Sequence, residues 1–206
     1  MHDLTVGIFL ERLADRIPAP GGGASAALHA AQGAALVAMV ARYSTGEKYA
    51  EHETTINRVR DEADALRLVA LDLAEQDATA FQAVAAAYQL PRGDSAQKAA
   101  RSAAIASAVA GAAQPPARVI AVAYDIVLLA ERLCPIGNRN VVTDVAAAAE
   151  AARAAAVVAQ VNVEVNAAGV EDTQARRSLL STAGDADNIA ARADKVVATV
   201  RDMIAA

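Results

Sequence analysis

Apolar positions recur at spacings of three and four along most of the 206 residues, which is the period of helices packed by one face. Leu4, Ile8 and Leu13 share a side of a helix predicted over about 3–16, which Pro18 and Pro20 end before Gly21-Gly22-Gly23. A second helix is predicted over about 24–43. From Ala24 to Ala41 it is nearly all small residues, so neighbours can approach it on every side and its place is central. After a turn around Gly46, a long helix over about 50–89 stops at Leu90-Pro91-Arg92-Gly93. Asp94 or Ser95 caps the next, which runs to about Ala113, and Pro115-Pro116 separate it from a helix over 117–133. A polar loop, 135–140, leads to a helix over about 144–167 with Thr143 as its cap and Asp144 in its first turn. Gly169 closes that helix, and Asp172 caps a last region, 173–204, with a candidate break at Gly184. The pattern predicts an all-α fold: one domain over 1–206, a bundle of about six or seven helices with one long central helix.

Composition sharpens this picture. More than a quarter of the residues are alanine and only 3% are aromatic, which suits closely approaching helices better than a sheet. The net charge is −5 and no lysine- or arginine-rich block occurs, so a nucleic-acid partner is not expected. Cys134 is the single cysteine, which excludes an intramolecular disulfide and a cysteine-based zinc site and points to a reducing compartment. The N-terminus carries Asp3 and Glu11 and lacks the basic start of a signal peptide. Arg118, Asp125, Glu150 and Arg153 break the candidate apolar runs, so no membrane-spanning stretch of about 18 residues is expected. The expected location is cytoplasmic.

The long helix holds the most informative side chain. Leu66, Ala70, Leu73, Asp77, Phe81, Val84 and Tyr88 form one stripe, which places the Asp77 carboxylate at a core-facing position. There it either pairs across the bundle for structure or, desolvated, has a raised pKa suited to acid/base catalysis near neutrality. Asp144 and Asn162 lie five turns apart on one face, with Asn166 close by. At 1.5 Å per residue they are about 27 Å apart, so they serve an elongated ligand, separate sites as at a symmetric dimer interface, or inter-helix hydrogen bonds. The glycine run opens a helix and can bring backbone amides to a ligand, although as a lone motif it is better explained by a plain tight turn. His2, His29 and His52 match no metal or catalytic spacing, and neither HExxH nor GxSxG occurs.

Taken in order, these pieces resemble the cyclodeaminase/cyclohydrolase family. The resemblance runs through Pro18-Ala19-Pro20-Gly21-Gly22-Gly23, Ala38-Met39-Val40-Ala41, Gly46-Glu47-Lys48-Tyr49, Asp77-Ala78-Thr79-Ala80-Phe81 and Ala87-Tyr88-Gln89-Leu90-Pro91. It continues through Arg101, Ile105, Gly137-Asn138, Thr143-Asp144 and Asn162-Val163-Glu164-Val165-Asn166. Glu47 with a single Lys48 stands where family members often carry two or three basic residues. The resemblance implies an all-helical homodimer that acts on a tetrahydrofolate derivative without metal or cofactor. It implies catalysis by Asp77 assisted by Lys48, with Gly21, Gly22, Gly23, Asn138, Asp144 and Asn162 around the substrate and Asp144 on the pterin's amino-pyrimidine edge. The expected reaction is hydrolysis of 5,10-methenyltetrahydrofolate to 10-formyltetrahydrofolate. The alternatives are deamination of 5-formiminotetrahydrofolate to the methenyl compound and a non-catalytic folate-binding scaffold. The residues do not separate the two reactions; the lack of a fused formiminotransferase domain in 206 residues places the cyclohydrolase first.

Overall fold

A computed structural model describes residues 4–206. Among them seven α-helices follow one another: α1 (Val6–Ala14), α2 (Gly22–Arg42), α3 (Glu53–Tyr88), α4 (Ser95–Ala112), α5 (Gln114–Leu133), α6 (Val142–Ala167) and α7 (Thr173–Ala205). Two 3-10 turns, Glu47–His52 and Arg139–Val141, lead into α3 and α6. The helix start expected at residue 3, and His2, lie outside the described residues.

Small side chains decide the packing. Ala24, Ala26, Ala27, Ala30 and Ala34 are fully buried in α2, which lies between α3 and α6. Helices with alanine at their contacts bring their backbones close together. At Gly33 the approach is closer still: a Cβ there would stand 3.0 Å from the Ala148 carbonyl oxygen of α6. Across this layer lies α5, against α3, α2, α6 and α7, and it supplies the fully buried Ile120, Ile126 and Leu133. Each such side chain contributes about 1.5–3 kcal/mol by leaving water. The helix starts are fixed by side chains that accept first-turn amides: Thr5 from Ile8 (3.2 Å), Asp94 from Gln97 (2.7 Å) and Asp172 from Gln174 and Ala175 (2.8 Å each).

The structure moves several predicted boundaries. Helices α2, α5 and α6 begin at Gly22, Gln114 and Val142, earlier than expected. First-turn amides need no partner within the helix, so Gly22-Gly23 and Pro115-Pro116 are accommodated inside it. Thr143 is therefore a first-turn residue of α6 and not its cap. Asp15, in extended conformation, ends α1 two residues early. No break occurs at Gly184, because an interior glycine costs about 1 kcal/mol, which the buried Leu179, Ala183, Ala186 and Ile189 of α7 outweigh. By length and composition α2 and Ser95–Leu133 are apolar enough to cross a bilayer, which corrects the expectation of no such run. Arg118 and Asp125 lie within Ser95–Leu133, where one or two charges do not remove its apolar character, Glu150 and Arg153 lie outside both spans, and in each case 61% of the apolar window is buried against protein.

Candidate active site

The stripe on α3 divides at Asp77. Ala70 and Leu73 are fully buried against the bundle and Asp77 is half-buried, whereas Phe81 and Tyr88 are 50% and 54% exposed. The expectation that the whole stripe faces the core is corrected from here on. The reason is that α2, the main partner of α3, begins at Gly22 beside Asp77, so the part of α3 beyond this point has lost that partner. Asp77 thus stands where a buried helix interface opens onto an apolar shelf.

The first turn of α2 makes the seat of this carboxylate. An added Cβ at Gly23 would lie 2.1 Å from Asp77 Oδ1 and 2.5 Å from its Cγ, so only glycine leaves room. The Ala24 backbone N–H donates to the carboxylate. Burial pushes the Asp77 carboxyl above its ordinary value, and the Ala24 hydrogen bond opposes that rise without cancelling it. Asn162 of α6 completes the group, its Nδ2 lying 3.8 Å from where a Gly22 Cβ would stand. That nitrogen donates to the Val158 carbonyl (2.8 Å), and the side-chain oxygen has no partner among the described residues.

The remaining predicted site residues gather elsewhere. The Asn138 side chain donates to the Tyr43 carbonyl (2.8 Å) and accepts from the Asn140 amide (3.0 Å), while its own backbone amide donates to Ser44 Oγ (2.8 Å). Ser44, 2% exposed, also donates to the Val40 carbonyl at 2.7 Å. These bonds pin the loop before α6 to the C-terminal end of α2, and nothing in the sequence pattern marked Ser44 as their centre. Lys48 is exposed and sits over the Tyr49 ring, 5.5 Å from its centroid, and Asp144 is half-buried in the first turn of α6. The 21 residues of α2 separate the two groups by about 30 Å at 1.5 Å per residue. One chain therefore brings together Gly22, Gly23, Asp77 and Asn162, with Gly21 next to them, and does not bring Lys48, Asn138 or Asp144 to them.

Chemically, the Asp77 end offers a single desolvated carboxyl group, the amides of a helix N-terminus and an apolar approach. Among the described residues no three His, Cys, Asp or Glu side chains gather as metal ligands. Such a site can take and return a proton beside a flat, partly apolar ligand. The family profile described as Formiminotransferase-cyclodeaminase matches residues 5–185.

The chain belongs to this family.

The formiminotransferase-cyclodeaminase match contains every residue of both polar groups. Methenyltetrahydrofolate cyclohydrolase of Methylorubrum extorquens is 39% identical over 169 residues, covering 82% of this chain and 81% of that protein. Formimidoyltransferase-cyclodeaminase of Rattus norvegicus is 28% identical over 171 residues, 82% of this chain but 32% of that larger protein. Among solved structures, formiminotetrahydrofolate cyclodeaminase of Thermotoga maritima superposes with a TM-score of 0.82 at 28% identity, covering 98% of this chain and 96% of that one. The all-helical architecture is thus that of the formiminotransferase-cyclodeaminase family.

Proposed function

We propose that this protein is a methenyltetrahydrofolate cyclohydrolase. The observation that carries the reading is its 39% identity to a cyclohydrolase of similar length, with most of both chains covered. In the proposed reaction, water attacks the methenyl carbon of 5,10-methenyltetrahydrofolate, and Asp77 takes a proton from that water as the C–O bond forms. The protonated Asp77 then returns the proton to N5 as the C–N5 bond breaks. The carbinol oxygen loses its remaining proton to solvent and becomes the formyl group of 10-formyltetrahydrofolate. One water is consumed and one proton released overall. A raised pKa suits both steps, since the group must accept and donate near neutrality. First-turn amides of α2 beside Asp77 are proposed to stabilise charge on the carbinol oxygen.

A second reading rests on the Thermotoga maritima likeness: formiminotetrahydrofolate cyclodeaminase activity, in which N10 attacks the formimino carbon and ammonia leaves. Incubation with 5,10-methenyltetrahydrofolate and, separately, 5-formiminotetrahydrofolate, followed by the methenyl chromophore, decides between them. Accelerated loss of the chromophore is expected; its appearance from the formimino compound instead supports the deaminase. No change with either overturns both in favour of a folate-binding scaffold.

The reading extends to one cyclodeaminase/cyclohydrolase-like domain, a cytoplasmic location, and turnover without metal or cofactor. A homodimer is proposed as well. Val157, Val161 and Val165 are 41%, 54% and 69% exposed, spaced four apart on the outer side of α6, and so form an apolar strip that a second copy can cover. Light scattering is expected to give the mass of two chains, and a single-chain mass removes the proposal.

A further inference from the structure

Beyond Asp77, the exposed shelf on α3 ends at a cation whose hydrogen-bonding capacity is incompletely used. Arg101 of α4 lies over the Tyr88 ring, with its guanidinium carbon 5.5 Å from the centroid, and its Nη2 donates to the Tyr88 carbonyl (3.1 Å). Its Nε is buried and has no hydrogen-bond partner. No carboxylate pairs with it among the described residues, although acidic residues pair with several other arginines of this chain. A guanidinium with one nitrogen closed off from water and no carboxylate beside it is costly, and the usual remedy is an anion on its remaining Nη donors.

The position of this cation fits one part of the proposed ligand. Tyr88 follows Asp77 by eleven residues, about three helical turns and about 16 Å, so it returns to nearly the same face of α3. Phe81 and Val84 lie between them, Phe81 half-exposed and Val84 partly buried. A tetrahydrofolate has matching parts in the same order: a pterin with the reacting carbon, an aminobenzoyl ring and an anionic glutamate. Lys48, the basic residue expected near the site, stands about 30 Å away at the other end of α2 and cannot reach that glutamate within the same chain.

We infer that Arg101 is the binding residue for the glutamyl carboxylate of the folate, with Phe81 and Tyr88 as the apolar shelf beneath the aminobenzoyl ring. The inference rests on the folate reading of the Asp77 site. It adds a binding residue that the pattern of site residues did not include, and it assigns the specificity for a carboxylate tail to α4. A purely structural Arg101, capping the last carbonyls of α3, predicts loss of stability without ligand discrimination.

The experiment measures equilibrium binding by calorimetry, using 5-formyltetrahydrofolate and the corresponding tetrahydropteroate, which lacks the glutamate. Arg101→Ala is expected to weaken the folate by about 10- to 100-fold and to leave the pteroate within about threefold. Arg101→Lys, which keeps the charge and a donor for Tyr88 but not the planar fork, is expected to fall between the two and to keep the wild-type melting temperature. Equal weakening of both ligands, or none, overturns the assignment, and so does Arg101→Lys binding that matches Arg101→Ala. Because binding is read directly, a wild-type protein that binds folate but turns over neither methenyl nor formimino substrate counts against the proposed reaction alone. A wild-type protein that does not prefer the folate over the pteroate counts against Arg101.

Discussion

Asp77→Asn is expected to remove turnover and raise stability at the same time. Loss of a general acid/base group lowers kcat by about 10²- to 10⁴-fold, and asparagine keeps the size and can still accept from the Ala24 amide. Stability moves in the opposite direction because burial disfavours the ionised carboxylate. The folded-state pKa of Asp77 lies above the unfolded value, so the folded protein holds this proton more tightly. The stability associated with the protonated group is complete below the unfolded value and is lost as pH rises through the folded one. Asparagine does not ionise, so the stability advantage of Asp77→Asn is expected to grow across that interval and then level off. Urea denaturation of both proteins across a pH series measures it. A structural aspartate bonded across the bundle predicts the reverse, a destabilised variant at neutral pH. An Asp77→Asn protein with near-normal turnover ends the catalytic assignment whatever its stability.

The helices were legible because alanine, proline and glycine punctuate this chain clearly, and Asp77 stood out by interrupting an apolar stripe. The stripe did not reveal where burial stops. Whether Phe81 is covered depends on where α2 begins, and a glycine run signals a tight turn as readily as the first turn of a helix, so the observed start at Gly22 precedes the predicted one by two residues. The donor to Asp77 is the backbone amide of Ala24, and a main-chain N–H leaves no mark on residue identity. The family resemblance groups Lys48 with Asp77, whereas the length of α2 holds them apart within one chain. The family resemblance implies Asn138 as a substrate contact, and in the structure its side chain bonds the Tyr43 carbonyl and the Asn140 amide. Polar residues in an alanine-rich bundle are conspicuous in sequence, but whether the protein itself uses their hydrogen bonds is decided only by the packing.

Gly23→Ala is expected to abolish most activity while the fold survives, and it tests the seat of the carboxylate separately from its chemistry. The new methyl would stand 2.1 Å from Asp77 Oδ1, so the carboxylate must swing out of its seat and give up the Ala24 amide. Once nearer water, its pKa moves down toward the ordinary carboxylate value. The alanine favours the helix by up to about 1 kcal/mol, which offsets part of the lost hydrogen bond and keeps the net stability change small. A fall in kcat of about 10²-fold or more is expected, with the acidic limb of the pH–rate profile shifted to lower pH. Gly22→Ala is the informative neighbour: its methyl meets Asn162 Nδ2 at 3.8 Å, an ordinary contact, so it should retain much more activity. Gly23→Ala combined with Asp77→Asn should be no slower than Asp77→Asn alone, because both changes act through one carboxylate. If the two losses multiply instead, Gly23 contributes through some other contact, and close packing over Asp77 is not the reason glycine stands there.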